Sequence, residues 1–303
     1  DPEGTGADGE LWLVRFSDGG WVQLTDDRVW NRYQAISPDG AWISYRRPID
    51  EDGDGTQEPG SGELWVVRTD GSAEPVRLLS FPSGQGSLGD ILAITQDNER
   101  VLYEYSEQGS SITQIYAVEI GGEHTVTQLT DPPAGESSYF RMLSGDTATL
   151  VYTTNDVPDG FGDVEVYTMP SHGGASTLVT TEDNEAVMLP RAVLDAQGTV
   201  LVEGNPGAEG DYDLYAGGID GTNFHGVVVN DFFSDTYSGA SAGGTWVFFT
   251  NCSADYTQSN LGCSDVANDQ DIYGVASSGQ GGVVPLTDND TDDFFWQAYM
   301  VQP

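Results

Sequence analysis

One pattern returns six times along the 303 residues: a β-rich tetrapeptide, a Gly-containing turn, and a second short β segment that often ends in Leu-Thr. The copies are LWLVRFSDGGWVQLT (11–25), LWVVRTDGSAEPVRLL (64–79), IYAVEIGGEHTVTQLT (115–130), VYTMPSHGGASTLVT (166–180), LYAGGIDGTNFHGVVV (214–229) and IYGVASSGQGGVVPLT (272–287). Each reads as a hairpin, because Asp-Gly and Gly-Gly turns supply the positive φ that tight antiparallel connections need. A second hairpin lies between copies, at 33–47, 91–105, 140–154, 189–204 and 237–251. The first of these carries a Pro-Asp-Gly turn, a strong break between strands.

Four strands per unit, recurring at a spacing of about fifty residues, match the period of propeller blades. A long β-sandwich has no reason to repeat a four-strand unit, and no amphipathic helical period is present. The expected fold is all-β: a six-bladed β-propeller with four-stranded antiparallel blades, one domain over 10–303 behind a flexible tail of residues 1–9. The chain starts on the third strand of a blade and ends near a first strand, since DDFFWQAYMV (292–301) aligns with RVWNRYQAIS (28–37) through Gln-Ala. Residues 294–301 are therefore expected to pair beside 11–14 or its neighbour in the first blade, directly or through a missing strand, closing the ring and hiding two sheet edges. No second strand for that closing blade is visible in the sequence.

Ile36-Ser37-Pro38-Asp39-Gly40 resembles the WSPDG signature of TolB-like, WD40-like (PD40) propeller repeats, with Ile in place of Trp. The LWVV…DGS…LL and IY…LT segments resemble the rest of that repeat, and the likeness covers residues 10 to 303. The equivalent turns have drifted to TQDN, SGDT, LDAQG and SAGG. The resemblance implies the fold; it says little about function, because propellers carry many.

Charge narrows the partners. The chain has 49 acidic residues against 10 basic ones, all Arg, for a formal net charge of −39. Nucleic acid is excluded as a partner by the lack of groups to neutralise phosphates, and an anionic membrane surface is disfavoured for the same reason. Without Lys there is no Schiff-base chemistry. Such a surface suits salt-adapted solvation and local cation capture. No apolar run is long enough to span a bilayer, and residues 1–10 lack the apolar segment of a signal peptide, which is expected to have been removed. Cys252 and Cys263, the two cysteines, lie eleven apart in a Gly/Ser/Asn/Asp-rich stretch and are expected to form a disulfide. That implies an oxidising compartment, so a secreted, periplasmic or cell-surface monomer is expected.

Let the strands be lettered a to d from the channel outwards. The a–b and c–d turns then share one face; the b–c and d–a connections share the other, where members of the family usually bind ligands. His124, His172 and His225 each fall in a c–d turn of a different blade, which argues against a His-based catalytic or metal cluster. No G-x-S-x-G elbow is present. The strongest chemical motif is Asp50-Glu51-Asp52-Gly53-Asp54-Gly55-Thr56-Gln57-Glu58. Oxygen ligands at alternate positions of a tight loop converge on one point, which suits Ca²⁺; Asp50, Asp52, Asp54 and Glu58 side chains and the Thr56 carbonyl are the expected ligands. The loop departs from an EF-hand in having Ser61 at position twelve and strands on both sides. It resembles the Ca²⁺ loops between strands of integrin-type propellers. A weaker alternation is Asp288, Asp290, Asp292. The acidic stretches 156–163 and 265–271 read as plain loop carboxylates.

The d–a connections combine aromatics with carboxylates. Trp30, Tyr139, Phe140, Phe232, Phe233, Phe294, Phe295 and Trp296 lie near the entries to strand a, and Asp26, Asp27, Asp131, Asp183, Asp231, Asp235, Asp292 and Asp293 accompany them. Such a face suits a protein, peptide or glycan ligand, although aromatics also pack between blades. The expected function is a calcium-stabilised, non-enzymatic binding propeller. Two alternatives stand beside it: an enzyme working with carboxylates alone on glycosides, and the propeller domain of a larger hydrolase. For the first, strand-a residues such as Gln34, Ser37, Arg141 and Arg191 would need an inward Asp or Glu partner.

Overall fold

The computed structural model describes residues 9–287 except 16, 28, 54–57, 59, 132–135, 157–163, 181–186, 206–211, 230–235 and 253–269. The chain is all-β. A two-stranded ribbon comes first, β1 (Trp12–Val14) against β2 (Trp21–Gln23). Next comes a sheet of β3 (Arg32–Ile36), β4 (Trp42–Arg47), β5 (Gly62–Arg68) and β6 (Val76–Phe81), in that order. The following sheet runs β7 (Gly86–Ile94), β8 (Arg100–Glu107), β9 (Thr113–Glu119) and β10 (Val126–Gln128). The next two repeats are β11 (Glu136–Leu143), β12 (Thr149–Asp156), β13 (Val164–Pro170) and β14 (Thr177–Leu178), then β15 (Val187–Leu194), β16 (Thr199–Asn205), β17 (Asp213–Gly218) and β18 (His225–Val228). One parallel bridge, Val164 to Val187, joins these two into an eight-stranded sheet. The last sheet has β19 (Thr236–Ala240), β20 (Trp246–Cys252), β21 (Gln270–Ala276) and β22 (Val284–Pro285). Both hairpins of the five four-strand repeats from β3 to β22 thus fall where the sequence period puts them, as does the single ribbon of the first copy. The segment expected to close a ring, 294–301, lies outside the described residues.

By chain contacts the molecule divides into two compact units, residues 1–140 with 170–174, and residues 141–169 with 175–303. In each, sheets stack face to face, so the second and third strands are buried on both sides. Val101, Leu102 and Tyr103 are consecutive and buried in the first unit, as are Val200, Leu201 and Val202 in the second. This accounts for continuous apolar runs where a half-exposed sheet would alternate. The first unit packs Leu64, Val66, Leu88, Ile91, Val101 and Val118 together; the second packs Leu201, Leu214, Val247 and Phe249.

The recurrent Leu-Thr is a corner. In the first unit the buried Thr25 Oγ1 accepts the N–H of Leu11 (2.8 Å), and Thr130 Oγ1 that of Ile115 (2.9 Å). In the second, Thr180 Oγ1 accepts Val166 N–H (3.2 Å) and Thr287 Oγ1 accepts Ile272 N–H (2.8 Å). The residue before each Thr bonds back to the same strand: Leu24 to Leu11, Leu129 to Ile115, Val179 to Val166, Leu286 to Ile272. A hydroxyl at this point pairs a backbone donor that the fourth strand cannot reach. First strands also share a bulge. Gln34, Arg191 and Ser238 are the extra residues between paired neighbours on β3, β15 and β19.

Candidate functional site

The β4–β5 connection is closed at its base by Ser61, which is fully buried. Its Oγ donates to the carbonyls of Glu58 (2.8 Å) and Ile49 (3.3 Å), and Glu58 N–H donates to Ile49 O (3.3 Å). Within the loop, Gly53 takes φ +75° and donates its N–H to Asp50 Oδ1 (2.7 Å), while Glu51 N–H donates to Glu58 Oε1 (2.9 Å). The result brings one carboxylate oxygen each from Asp50, Asp52 and Glu58 within 4.8 Å of one another. Among the described residues this is the one place where three His, Cys, Asp or Glu side chains converge in this way. Glu58 Oε2 is buried and has no hydrogen-bond partner among the described residues. Three anionic oxygens this close repel unless a cation shares them, and hard oxygen donors are what Ca²⁺ takes. Asp54 and Thr56 lie outside the described residues. Ser61 belongs to the hinge that fixes Glu58. The loop is also tied outward: the Glu51 carboxylate accepts Ser83 N–H (2.5 Å) and Ser83 Oγ–H (2.8 Å) from the β6–β7 connection.

On the expected ligand face, Asp26, Asp131 and Trp30 are exposed, Trp30 to 61%. Tyr139 sits within β11 and is half-buried. Asp27 is engaged by its own loop: Oδ1 accepts Val29 N–H (3.1 Å) and Asn31 Nδ2–H (2.8 Å), and Oδ2 pairs with Arg47 (3.3 Å). Gly9, at the end of the expected tail, is pinned here too, its carbonyl accepting Asn31 N–H (2.8 Å). Phe232, Asp235, Asp288, Asp290, Asp292, Asp293, Phe295 and Trp296 lie outside the described residues. Cys252 ends β20; Cys263 also lies outside them.

The histidines are used locally. His172 Nε2 meets Asp97 Oδ2 (3.2 Å) while its carbonyl accepts Arg100 Nη1–H (2.9 Å). His124 Nδ1 donates to Glu119 O (3.1 Å). His225 starts β18 rather than lying in the turn, with Nδ1 on Asn223 O (2.6 Å). Along the first strands, Arg141 Nε donates to Thr153 Oγ1 (2.8 Å), and Arg191 does have a carboxylate partner, Glu203, at 2.7 Å. Glu203 is buried, and its other oxygen accepts the N–H of Tyr237 (3.0 Å). Glu104 in the first unit accepts Phe140 N–H in the same manner (3.0 Å). Both acids fasten one sheet to the first strand of the next.

What sequence reading missed is how many carboxylates serve the turns. In the β3–β4 turn Ser37 Oγ donates to Asp39 Oδ1 (2.7 Å), which also accepts Ala41 N–H (2.9 Å), and Trp42 N–H returns to Ser37 Oγ (2.9 Å). Thr95, Asp97, Glu99 and Arg100 repeat this between β7 and β8; Ser144, Asp146, Ala148 and Thr149 repeat it between β11 and β12. Gly40, Asn98 and Thr147 close these turns with φ of 72°, 58° and 53°. The legible signal was Ser/Thr-x-Asp; TQDN and SGDT keep the box although Gln96 and Gly145 replace the Pro and Asn98 and Thr147 replace the positive-φ Gly. Hydrogen bonds from Ser37 and Ser144 hold Asp39 and Asp146 below the ordinary carboxylate range. For Asp97 burial pushes upward, but Thr95, Glu99 N–H, His172 and Arg100 outweigh it and hold it low.

No family model and no curated protein matches the chain. Solved structures do. A prolyl endopeptidase aligns with TM-score 0.60 at 13% identity, over 92% of this chain and 38% of the other. A puromycin-hydrolysing peptidase of Mycobacterium tuberculosis aligns with TM-score 0.56 at 15% identity, over 95% and 43%. The β-propeller domain of the Trilobed protease from Pyrococcus furiosus, described as having an open velcro topology, aligns with TM-score 0.52 at 14% identity, over 92% and 77%. The chain thus spans about two fifths of the two peptidases. Four-stranded antiparallel sheets repeated in this order, with such neighbours, define a β-propeller-like fold. Among the described residues no helix is long and apolar enough to cross a membrane.

Proposed function

We propose that this chain is a six-bladed, TolB-like propeller acting as a calcium-stabilised binding module. Its ligand is a protein, peptide or glycan engaged by the acidic, aromatic d–a connections, in a secreted, periplasmic or cell-surface setting where Cys252 and Cys263 are bonded. The observation that carries the reading is the convergence of Asp50, Asp52 and Glu58, with Glu58 Oε2 buried and without a partner among the described residues. Asp54 and the Thr56 carbonyl complete the ligand set. Glu104 and Glu203 each accept a backbone N–H of the following first strand, which supports a structural use of both acids.

The test is thermal unfolding at fixed high NaCl, with EDTA against millimolar Ca²⁺. Binding to the folded state alone stabilises by about 2.7 kcal/mol at one hundred times Kd. Wild type is expected to gain that stability with Ca²⁺ and Asp52→Ala to gain none; no calcium-dependent shift in wild type overturns the reading. One observation favours a second reading, the propeller of a longer hydrolase: the similar peptidases extend well beyond the matched region. A native protein more than twice the 32.4 kDa of this chain would support it.

A further inference from the structure

With almost five acids for each base, an arginine without a carboxylate is an anomaly. Among the described residues Arg15, Arg47, Arg68, Arg77 and Arg191 each pair with an Asp or Glu. Arg100 lies in the field of Asp97 and donates to His172 O, and Arg141 donates to Thr153. Two remain, and they are neighbours. Arg32 on β3 and Arg46 on β4 are directly opposed in the antiparallel register, which puts both side chains on one face with Cβ atoms about 5 Å apart. Neither has a carboxylate within ion-pairing distance among the described residues. Arg46 is half-buried and anchored, donating Nη2–H to Ser61 O (2.9 Å). Its guanidinium occupies space left by Gly62, where an added Cβ would come 2.8 Å from Nε. Arg32 is exposed. Burial and the charge of Arg32 lower the proton affinity of Arg46, while Asp90 on β7 acts on it from beyond ion-pair range.

Like charges directly across a sheet are unfavourable, and among the described residues no acid reaches ion-pairing distance of this pair, Asp90 acting only from farther off. Two planar guanidiniums, one fixed by the backbone and one open to solvent, match the two oxygens of a carboxylate. We infer that Arg32 and Arg46 form a receptor for a single carboxylate, such as the C-terminal group of a peptide. A polyanion is disfavoured: the net charge of −39 repels each further negative group, whereas one small anion meets the local field inside a Debye length of roughly 8–10 Å. This site uses no calcium ligand and meets the base of the 50–58 loop through the Ser61 carbonyl, so its test is run at fixed Ca²⁺.

Ten arginines in all make arginine-selective ¹⁵Nε spectra sparse enough to follow singly. Acetate is titrated against NaCl at constant ionic strength and fixed Ca²⁺, with inorganic phosphate and polyglutamate as parallel arms. The expected result is saturable movement of two Nε–Hε signals, assigned by their loss in Arg32→Gln and Arg46→Gln, with Arg15 and Arg68 unmoved. Arg32→Gln, an exposed change that leaves the fold intact, weakens the response of Arg46 about tenfold or more. Non-saturating shifts shared by all arginines, or an Arg46 response unaltered by Arg32→Gln, overturn the site. Tighter binding of phosphate or polyglutamate than acetate overturns the carboxylate assignment.

Discussion

Two kinds of loop in this molecule are built from carboxylates, and they use them in opposite ways. The β3–β4, β7–β8 and β11–β12 turns each place one Asp among donors: a hydroxyl two residues before it and an N–H two residues after it. The β4–β5 loop places three acids against one another, with a Glu58 oxygen buried without a donor among the described residues. Acidity alone therefore marks no site. A carboxylate surrounded by the chain's own N–H groups replaces a missing strand hydrogen bond; carboxylates facing each other repel, and the proposed Ca²⁺ is what would relieve that repulsion.

The largest expected difference comes from the hydroxyl groups that hold each loop. Ser144→Ala removes an acceptor for Thr149 N–H and a donor to Asp146, and is expected to cost about 1–2 kcal/mol in EDTA and Ca²⁺ alike, read by chemical unfolding. Ser61→Ala removes the hinge under Glu58; it is expected to cost about as much and, in addition, to weaken the calcium response. Equal calcium responses in the two variants would erase the distinction between the loops.

Acid separates them next. Hydrogen bonds hold the Asp39, Asp97 and Asp146 carboxyls below the ordinary Asp value of 3.8. Their contribution is fully present above that value and is lost as pH falls through the lower folded values. In EDTA, Asp146→Asn should lower stability near neutrality, where that contribution is present, and flatten the curve below about pH 4, where the variant and wild type converge. A change at neutral pH equal to that at pH 3 would show that the carboxylate charge is not what the turn uses.

The smallest effect is general. In calcium-free buffer the melting temperature should rise from low to moderate NaCl as self-repulsion is screened. A flat or falling curve would remove net charge as a destabilising factor and leave the loop acids as its sole local source.

Much of this architecture is legible in the chain. The recurrence locates both hairpins of the five four-strand repeats, and Leu-Thr marks a corner whose hydroxyl the structure puts to work. The turn at 194–199 is the one most displaced from its relatives: LDAQG lacks the hydroxyl–Asp pair and folds as a 3-10 turn at Asp195–Gln197, closed by Gly198 at φ 60°. The convergence of Asp50, Asp52 and Glu58 follows from alternate spacing. The pairing of Arg32 with Arg46 was not legible, because it depends on the bulge at Gln34. Plain alternation back from the Ile36–Ile43 pair would set Tyr33 opposite Arg46; one extra residue moves Arg32 there instead.

The most direct test of the contrast between loops is a calorimetric titration of Ca²⁺ into chelator-treated protein at high NaCl, comparing wild type, Asp52→Ala and Asp39→Ala. The account predicts saturable heat in wild type, the same heat in Asp39→Ala, and its loss in Asp52→Ala. Loss in Asp39→Ala, or retention in Asp52→Ala, would contradict it.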